Sequence, residues 1–321
     1  MARGLVLAVS LCLTGCFNGI TLVPSHVGGP VKETTIIEAC KFFCRDKVAI
    51  LDVEGMILNA RTSGLFGDGE NPVSLFRERL DAAANDDNVK AVVLRINSPG
   101  GAVTASDIMF QDLCNFRRET RKPVVVCMMD VAASGGYYLA LGGDRIFAHP
   151  TTVTGSIGVI MSLYNASGLF HLLGVASDPI KSGPNKDIGN PARPMTPEER
   201  AILQGMVNGF YDQFLQVVIK RRHLPEERVR ALADGRVYTG MEAQKLGLVD
   251  EIGYLEDAIR AALEMAHLKD ARIVAYDKAC GYRGSIYASI PSQINVKLDV
   301  PGLGAPSGAA FMYLWEPGAS R

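Results

Sequence analysis

Three short stretches of branched apolar residues recur through the first half of the chain. Residues 48–53, 90–96 (KAVVLRI) and 123–129 (PVVVCMM) have the length and composition of buried strands. Between them the apolar spacing changes to a helical one. Leu75, Phe76, Leu80 and Ala83 share a face after Asn71-Pro72, and a second helix is predicted from Ser106 to about Arg118. Residues 137–141 read as helix and 145–148 as a short strand. A long amphipathic helix is predicted over 196–222, with Thr196 as N-cap, Pro197 at the first helical position and Glu199 three residues after the cap. Shorter helices follow over 224–233, 241–246 and 255–267, then a final strand over 273–276. Strands alternating with helices imply an α/β fold with a largely parallel sheet and flanking helices.

The two ends depart from this pattern. Met1-Ala2-Arg3 is positively charged, residues 5–13 are apolar, and Thr14-Gly15-Cys16 follows. The apolar run falls short of the roughly 20 residues that span a bilayer. It has the size of a signal-peptide core. The ending LTGC resembles the lipobox of bacterial lipoproteins, in which Cys16 takes the lipid. The bland alternatives are an ordinary secretory signal or a buried N-terminal strand. A lipid on Cys16 would hold the chain on the extracytoplasmic side of a bacterial membrane without a spanning helix. The expected organisation is a lipoprotein signal peptide (1–15), a linker with a short N-terminal helix (16–45), one folded domain (46–280) and a loosely ordered Gly/Pro-rich tail (281–321).

Composition narrows the function classes. Apolar residues make up 48% and charged residues 21%, enough for a substantial core, and the formal net charge is −1. No basic run favours nucleic acid. The cysteines form neither CxxC nor zinc spacing, so no metal or redox cofactor is implied. Cys40 and Cys44 could share a helix face, and a disulfide between them is open in an export compartment.

The candidate chemistry sits beside the strands. Ser134 follows the third apolar run, opens a helix and precedes Gly135-Gly136. There a hydroxyl could attack a carbonyl while free backbone N–H groups stabilise the oxyanion. The alternative is a plain helix N-cap. Ser98-Pro99-Gly100-Gly101 follows the second run and could supply a further N–H, best assigned to Gly101, or simply make a tight turn. A base is harder to choose. Among the five histidines only His149, between a strand and Pro150, stays open. A lysine kept neutral by burial can serve instead, and Lys181 and Lys186 are both candidates, or both solvated loop residues.

Taken in order, RINSPGG, DVAASGGYYLA, TGSIGVIM, IKSGPNKDIGNPARPMTPEE and DGRVYTGMEAQKLGLVDEIG resemble the signal peptide peptidase A family, the short bacterial form of the S49 serine peptidases. The resemblance runs from about Lys47 to about Ala275. It implies a Clp protease/crotonase-like layered fold and a serine endopeptidase that cleaves peptides, including remnant signal peptides, with a Ser/Lys dyad. It assigns the nucleophile to Ser134 and the base to Lys186 rather than Lys181. It also implies Gly101 and Gly135 as oxyanion donors, Ser156 as the residue that orients the lysine, and a homo-oligomer. A crotonase-like acyl-CoA enzyme and a catalytically silent membrane scaffold are the competing readings; both rest on fold analogy alone. The anchor itself is separately testable. Cys16→Ser is expected to abolish metabolic lipid labelling and release the protein from membranes, and continued labelling would refute the lipobox.

Overall fold

The computed structural model describes residues 30–38, 44–60, 63–64, 67–68, 70–277 and 311–315. The chain enters as β1 (Lys32–Glu38) and β2 (Lys47–Glu54), and a two-strand hairpin of β3 (Ser63–Gly64) and β4 (Gly67–Asp68) follows. Next come α1 (Pro72–Asn85), β5 (Val89–Ser98), β6 (Gly100–Ala102), α2 (Val103–Thr120), β7 (Val124–Ala133), α3 (Gly135–Ala140) and β8 (Arg145–Ala148). Beyond these lie β9 (Val153–Gly155), β10 (Ile160–Met161), α4 (Ser167–Leu172), α5 (Pro197–Arg222) and α6 (Glu226–Leu232). The described chain closes with β11 (Val237–Thr239), α7 (Gly240–Leu246), β12 (Glu251–Ile252), α8 (Leu255–Met265), β13 (Arg272–Asp277) and β14 (Phe311–Leu314).

The main sheet runs β1-β13-β2-β5-β7-β8-β12, with β9 branching from β7 and β11 pairing β9. Pairings from β13 through β12 are parallel; β1 joins β13 antiparallel. Strand alternation sends side chains to two cores. Leu51, Leu94, Ile96 and Val126 pack with Phe76 of α1, Met109 and Leu113 of α2 and Phe214 of α5. Ile50, Val93, Val125 and Cys127 face the opposite way, onto Leu255, Ala258 and Ala262 of α8. A parallel sheet covered on both faces accounts for the near-continuous apolar runs. The layered α/β architecture is therefore as the strand and helix pattern predicts.

Helix starts follow local chemistry. Asn71 Oδ1 accepts from the N–H groups of Val73 and Ser74, and Pro72 begins α1. Thr196 and Glu199 form a reciprocal capping box at α5, as do Thr239 and Glu242 at α7.

Both ends hold strands that the hydropathy pattern did not predict. Where a linker and short helix were expected within 16–45, Lys32–Glu38 is an edge strand. Its Thr34-Thr35-Ile36-Ile37 run is β-branched, which suits a strand better than a helix. In the expected loosely ordered tail, Phe311–Leu314 pairs between β10 and β6 in a separate three-stranded sheet. Cys44 is disulfide-bonded, and its partner lies outside the described residues, as do Cys40, Cys16 and the leader. No described helix is long and apolar enough to cross a membrane.

One charged group sits deep between the layers. Arg95 donates through Nε and Nη2 to the two carboxylate oxygens of Asp52, at 2.6 and 2.7 Å, and both residues are buried. Asp52→Leu strips the carboxylate from a buried guanidinium and is expected to cost about 3–5 kcal/mol in urea unfolding. Adding Arg95→Leu should recover most of that loss; a loss in the double variant equal to the sum of the Asp52→Leu and Arg95→Leu losses would show that the pair is not coupled.

Candidate active site

β7 ends at Ala133, and the next residue turns the chain sharply. Ser134 adopts φ 52° and ψ −113°, an unusual conformation for a residue with a side chain. Two backbone bonds hold it there. Its N–H donates to the Gly155 carbonyl at 2.8 Å, and its carbonyl accepts from the Tyr138 N–H at 2.8 Å. The side chain is 1% exposed, yet its hydroxyl does not cap α3 and has no hydrogen-bond partner among the described residues. A helix N-cap would use the hydroxyl. A buried, unsatisfied hydroxyl on a strained turn needs another explanation, and a nucleophile is one.

The glycine turn between β5 and β6 approaches this serine. Ser98 Oγ accepts from the Gly100 N–H at 3.1 Å and donates to the Gly55 carbonyl at 2.6 Å. The Gly100 carbonyl accepts from Ile57 N–H at 2.9 Å, and the Ala102 N–H donates to the Ile57 carbonyl at 2.8 Å. These bonds clamp the residues on either side of the Gly101 N–H. A Cβ built on Gly100, whose φ is 100°, would fall 2.6 Å from the Gly135 nitrogen. One built on Gly135 would fall 3.1 Å from the Gly101 nitrogen. The two backbones therefore converge, next to Ser134 in the chain, at a distance that side chains forbid.

Ser156 is also close. It follows Gly155, the acceptor of the Ser134 N–H, and is itself held at φ 48° with its N–H donating to Arg236. It lines a cavity of about 450 Å³ shared with Val159, Ile160, Tyr211 and Leu314. The structure thus gathers Ser134, Gly135, Gly101 and Ser156. It does not bring Lys186 to them within one chain: Lys186 is exposed on a surface loop, with its backbone N–H donating to Gly183. His149 packs on Tyr254 at the start of α8, with ring centroids 5.1 Å apart, and burial lowers its pKa.

The loop around Lys186 is braced by charge. Asp187 pairs with Arg193 and Lys181, each at 2.8 Å, and Arg193 also grips Glu199 of the α5 capping box. Arg193, then Lys181, holds the Asp187 carboxyl well below the usual carboxylate range. Arg193 and the Thr196 N–H bring Glu199 down to about 2. Lys181, the rival candidate base, is thereby engaged in an ion pair.

Sequence reasoning missed the strand across this site. β14 pairs Tyr313 with Gly101 and Leu314 with Gly100, and the Tyr313 carbonyl oxygen lies 3.1 Å from the Cβ position of Gly135. The only signal was a short apolar tetrad, Phe311-Met312-Tyr313-Leu314, inside a Gly/Pro-rich tail. Among the described residues no group of three or more His, Cys, Asp or Glu side chains is placed to hold a metal ion.

A family model described as peptidase family S49 matches residues 116–269, and one described as Clp protease matches residues 50–154. The chain is 39% identical over 246 residues to a putative signal peptide peptidase SppA of Enterococcus faecium, covering 77% of this chain and 70% of the relative. It is 40% identical over 213 residues to a putative protease of Methanocaldococcus jannaschii, covering 66% and 68%. Protease 4 of Salmonella typhi is 34% identical over 263 residues, covering 79% of this chain and 41% of that protein.

The glycine geometry yields a direct test. A methyl group on Gly101 would collide with the Ile57 backbone and displace the N–H. Gly101→Ala is expected to lower kcat for peptide hydrolysis by about 10²–10³-fold. Gly209→Ala, which meets nothing within 4 Å on α5, should leave kcat unchanged.

Proposed function

Because the chain belongs to the S49 peptidase family and is a serine endopeptidase, we propose that it cleaves peptide bonds with a Ser134/Lys186 dyad, at a membrane to which lipid on Cys16 tethers it, and that cleaved signal peptides are among its substrates. The observation that carries this reading is the Ser134 hydroxyl: buried, without a hydrogen-bond partner among the described residues, and set on a strained turn where the Gly100–Gly101 and Gly135 backbones converge.

The steps follow from those positions. Ser134 Oγ attacks the substrate carbonyl as a neutral Lys186 amine takes its proton. The resulting oxyanion is held by the N–H groups of Gly101 and Gly135. The tetrahedral intermediate collapses, the C–N bond breaks, and Lys186 returns the proton to the leaving amine. An acyl-enzyme on Ser134 remains. Water, deprotonated by Lys186, then attacks the ester and releases the second product. Ser156 orients the lysine by a hydrogen bond.

Lys186 reaches Ser134 from a neighbouring copy in a homo-oligomer. Support comes from the segment that leads to it. Tyr164, Leu169, Leu172, Leu173, Val175 and Ile180 are all more than half exposed, and α4 buries none of its residues within the chain. An apolar surface of this kind marks a protein interface. Enclosure between subunits also removes water from the amine and favours its neutral form.

The test uses purified protein and a signal-peptide substrate. Ser134→Ala and Lys186→Ala should each reduce cleavage by about 10³-fold or more. Mixing the two inactive variants should restore activity, because a serine from one copy then meets a lysine from the other. Full cleavage by either single variant would sink the dyad, and a mixture that stays inactive would place the lysine within its own chain.

A further inference from the structure

Lys186 sits on a segment that belongs to neither hydrophobic core. The backbone bonds around it are short local turns: Lys186 N–H to the Gly183 carbonyl, Ile188 N–H to Asn185 and Asn190 N–H to Asp187. Such turns fix the shape of the segment. They do not fix where the segment stands relative to the rest of the fold.

The carboxylate next to Lys186 in the chain supplies that link. Asp187 accepts from Arg193 Nη2 at 2.8 Å and Nε at 3.1 Å, from Lys181 at 2.8 Å and from Asn190 Nδ2 at 3.3 Å. The same guanidinium holds both carboxylate oxygens of Glu199, with Nη1 2.9 Å from Oε2. Glu199 is 2% exposed, although it stands roughly 22 Å along α5 from Phe214, where that helix enters the core. It also accepts from the Thr196 N–H at 3.0 Å. Arg193 thus joins the residue beside Lys186 to a helix rooted in the core at Phe214, Leu215 and Val218.

Exposed ion pairs usually add little. This one differs because one of its two carboxylates is buried. Without Arg193, Glu199 would be a buried charge without its counter-ion, and the segment would have to open to rehydrate it. Lys181 is no substitute. Its amine bonds to Asp187 and the Pro184 carbonyl, and an ammonium lacks the planar fork that spans two carboxylates.

We propose that Arg193 is the positioning residue of the catalytic lysine: by holding Asp187 against Glu199 it fixes Lys186 relative to α5, and so sets where the amine arrives at Ser134. The inference rests on Lys186 being the base, delivered by a neighbouring copy, and adds the device that aims it.

The test uses purified full-length protein and a signal-peptide substrate. Arg193→Gln should lower kcat by about 10- to 100-fold, the effect of a small misplacement of a reacting group, and leave KM within about 2-fold. Adding Asp187→Asn should cost little more, because both changes break one link. Mixed variants then locate the defect. Placed on the Ser134→Ala copy, which donates the lysine, Arg193→Gln should lower the activity of a mixture with Lys186→Ala protein by about 10-fold or more. Placed on the Lys186→Ala copy, which donates the serine, it should leave the mixture as active as the parent mixture. A general loss of folding or assembly would lower both mixtures alike. Equal activity of the two mixtures overturns the inference, as does a raised KM with unchanged kcat. An inactive parent mixture counts against delivery from a neighbour instead, and the kcat and KM of the single Arg193→Gln variant then decide the role of Arg193.

Discussion

Two stretches of backbone approach one another more closely than any pair of side-chain-bearing residues could, and the site depends on that approach. Gly100 and Gly135 stand where each would collide with the other's turn if either carried a Cβ. The approach is set by the parallel register of β5 and β7, in which Ser98 pairs with Ala132. Both strands end there, so their exits diverge into separate turns. One exit is clamped by Ser98 and Ile57, the other by the bond from Ser134 to Gly155. The unusual dihedrals of Ser134 persist because the surroundings over-determine them.

The rest of the fold serves this junction by keeping the central strands immobile. Side chains from β2, β5 and β7 are packed on both faces, and interiors this dense transmit rather than absorb displacement. The buried Asp52–Arg95 pair links β2 to β5 one layer below the glycine turn. Such pairs add little net stability, but their geometry resists slippage between strands. By contrast, the segment that carries Lys186 has no core of its own and is shaped by the Asp187–Arg193–Glu199 ion-pair cluster at the head of α5. One half of the proposed machinery is thus rigid within the chain, and the other waits at an apolar surface.

Legibility in the sequence followed the range of the interactions. The central strands were visible as branched apolar runs because both their faces are buried. α1, α5 and α7 begin at side-chain caps spaced two or three residues from their targets, and α1 and α5 were readable at Asn71-Pro72 and Thr196-Pro197 for that reason. The glycine pair and Ser134 stood out by composition, but their convergence depends on sheet register, which no local pattern encodes. Lys186 could be preferred to Lys181 only through the family motif; the ion pair that occupies Lys181 is a structural fact. β1 and β14 escaped because each owes its conformation to a partner far along the chain. Tyr313, in particular, gains its pocket from residues on α2, α3 and α5.

The pairing of β1 with β13 also has a consequence for how the molecule comes into being. Lys32 lies opposite Asp277, so β1 cannot find its neighbour until the chain has been synthesised through β13. By contrast, β5, β7 and β8 can each pair with a strand already laid down nearby, β2, β5 and β7 respectively. Closing so long a loop slows the final step, and the loop-closure cost grows only logarithmically with its length. The sheet is therefore assembled from its middle outward, and its border at β2 remains an open template until β13 has been synthesised.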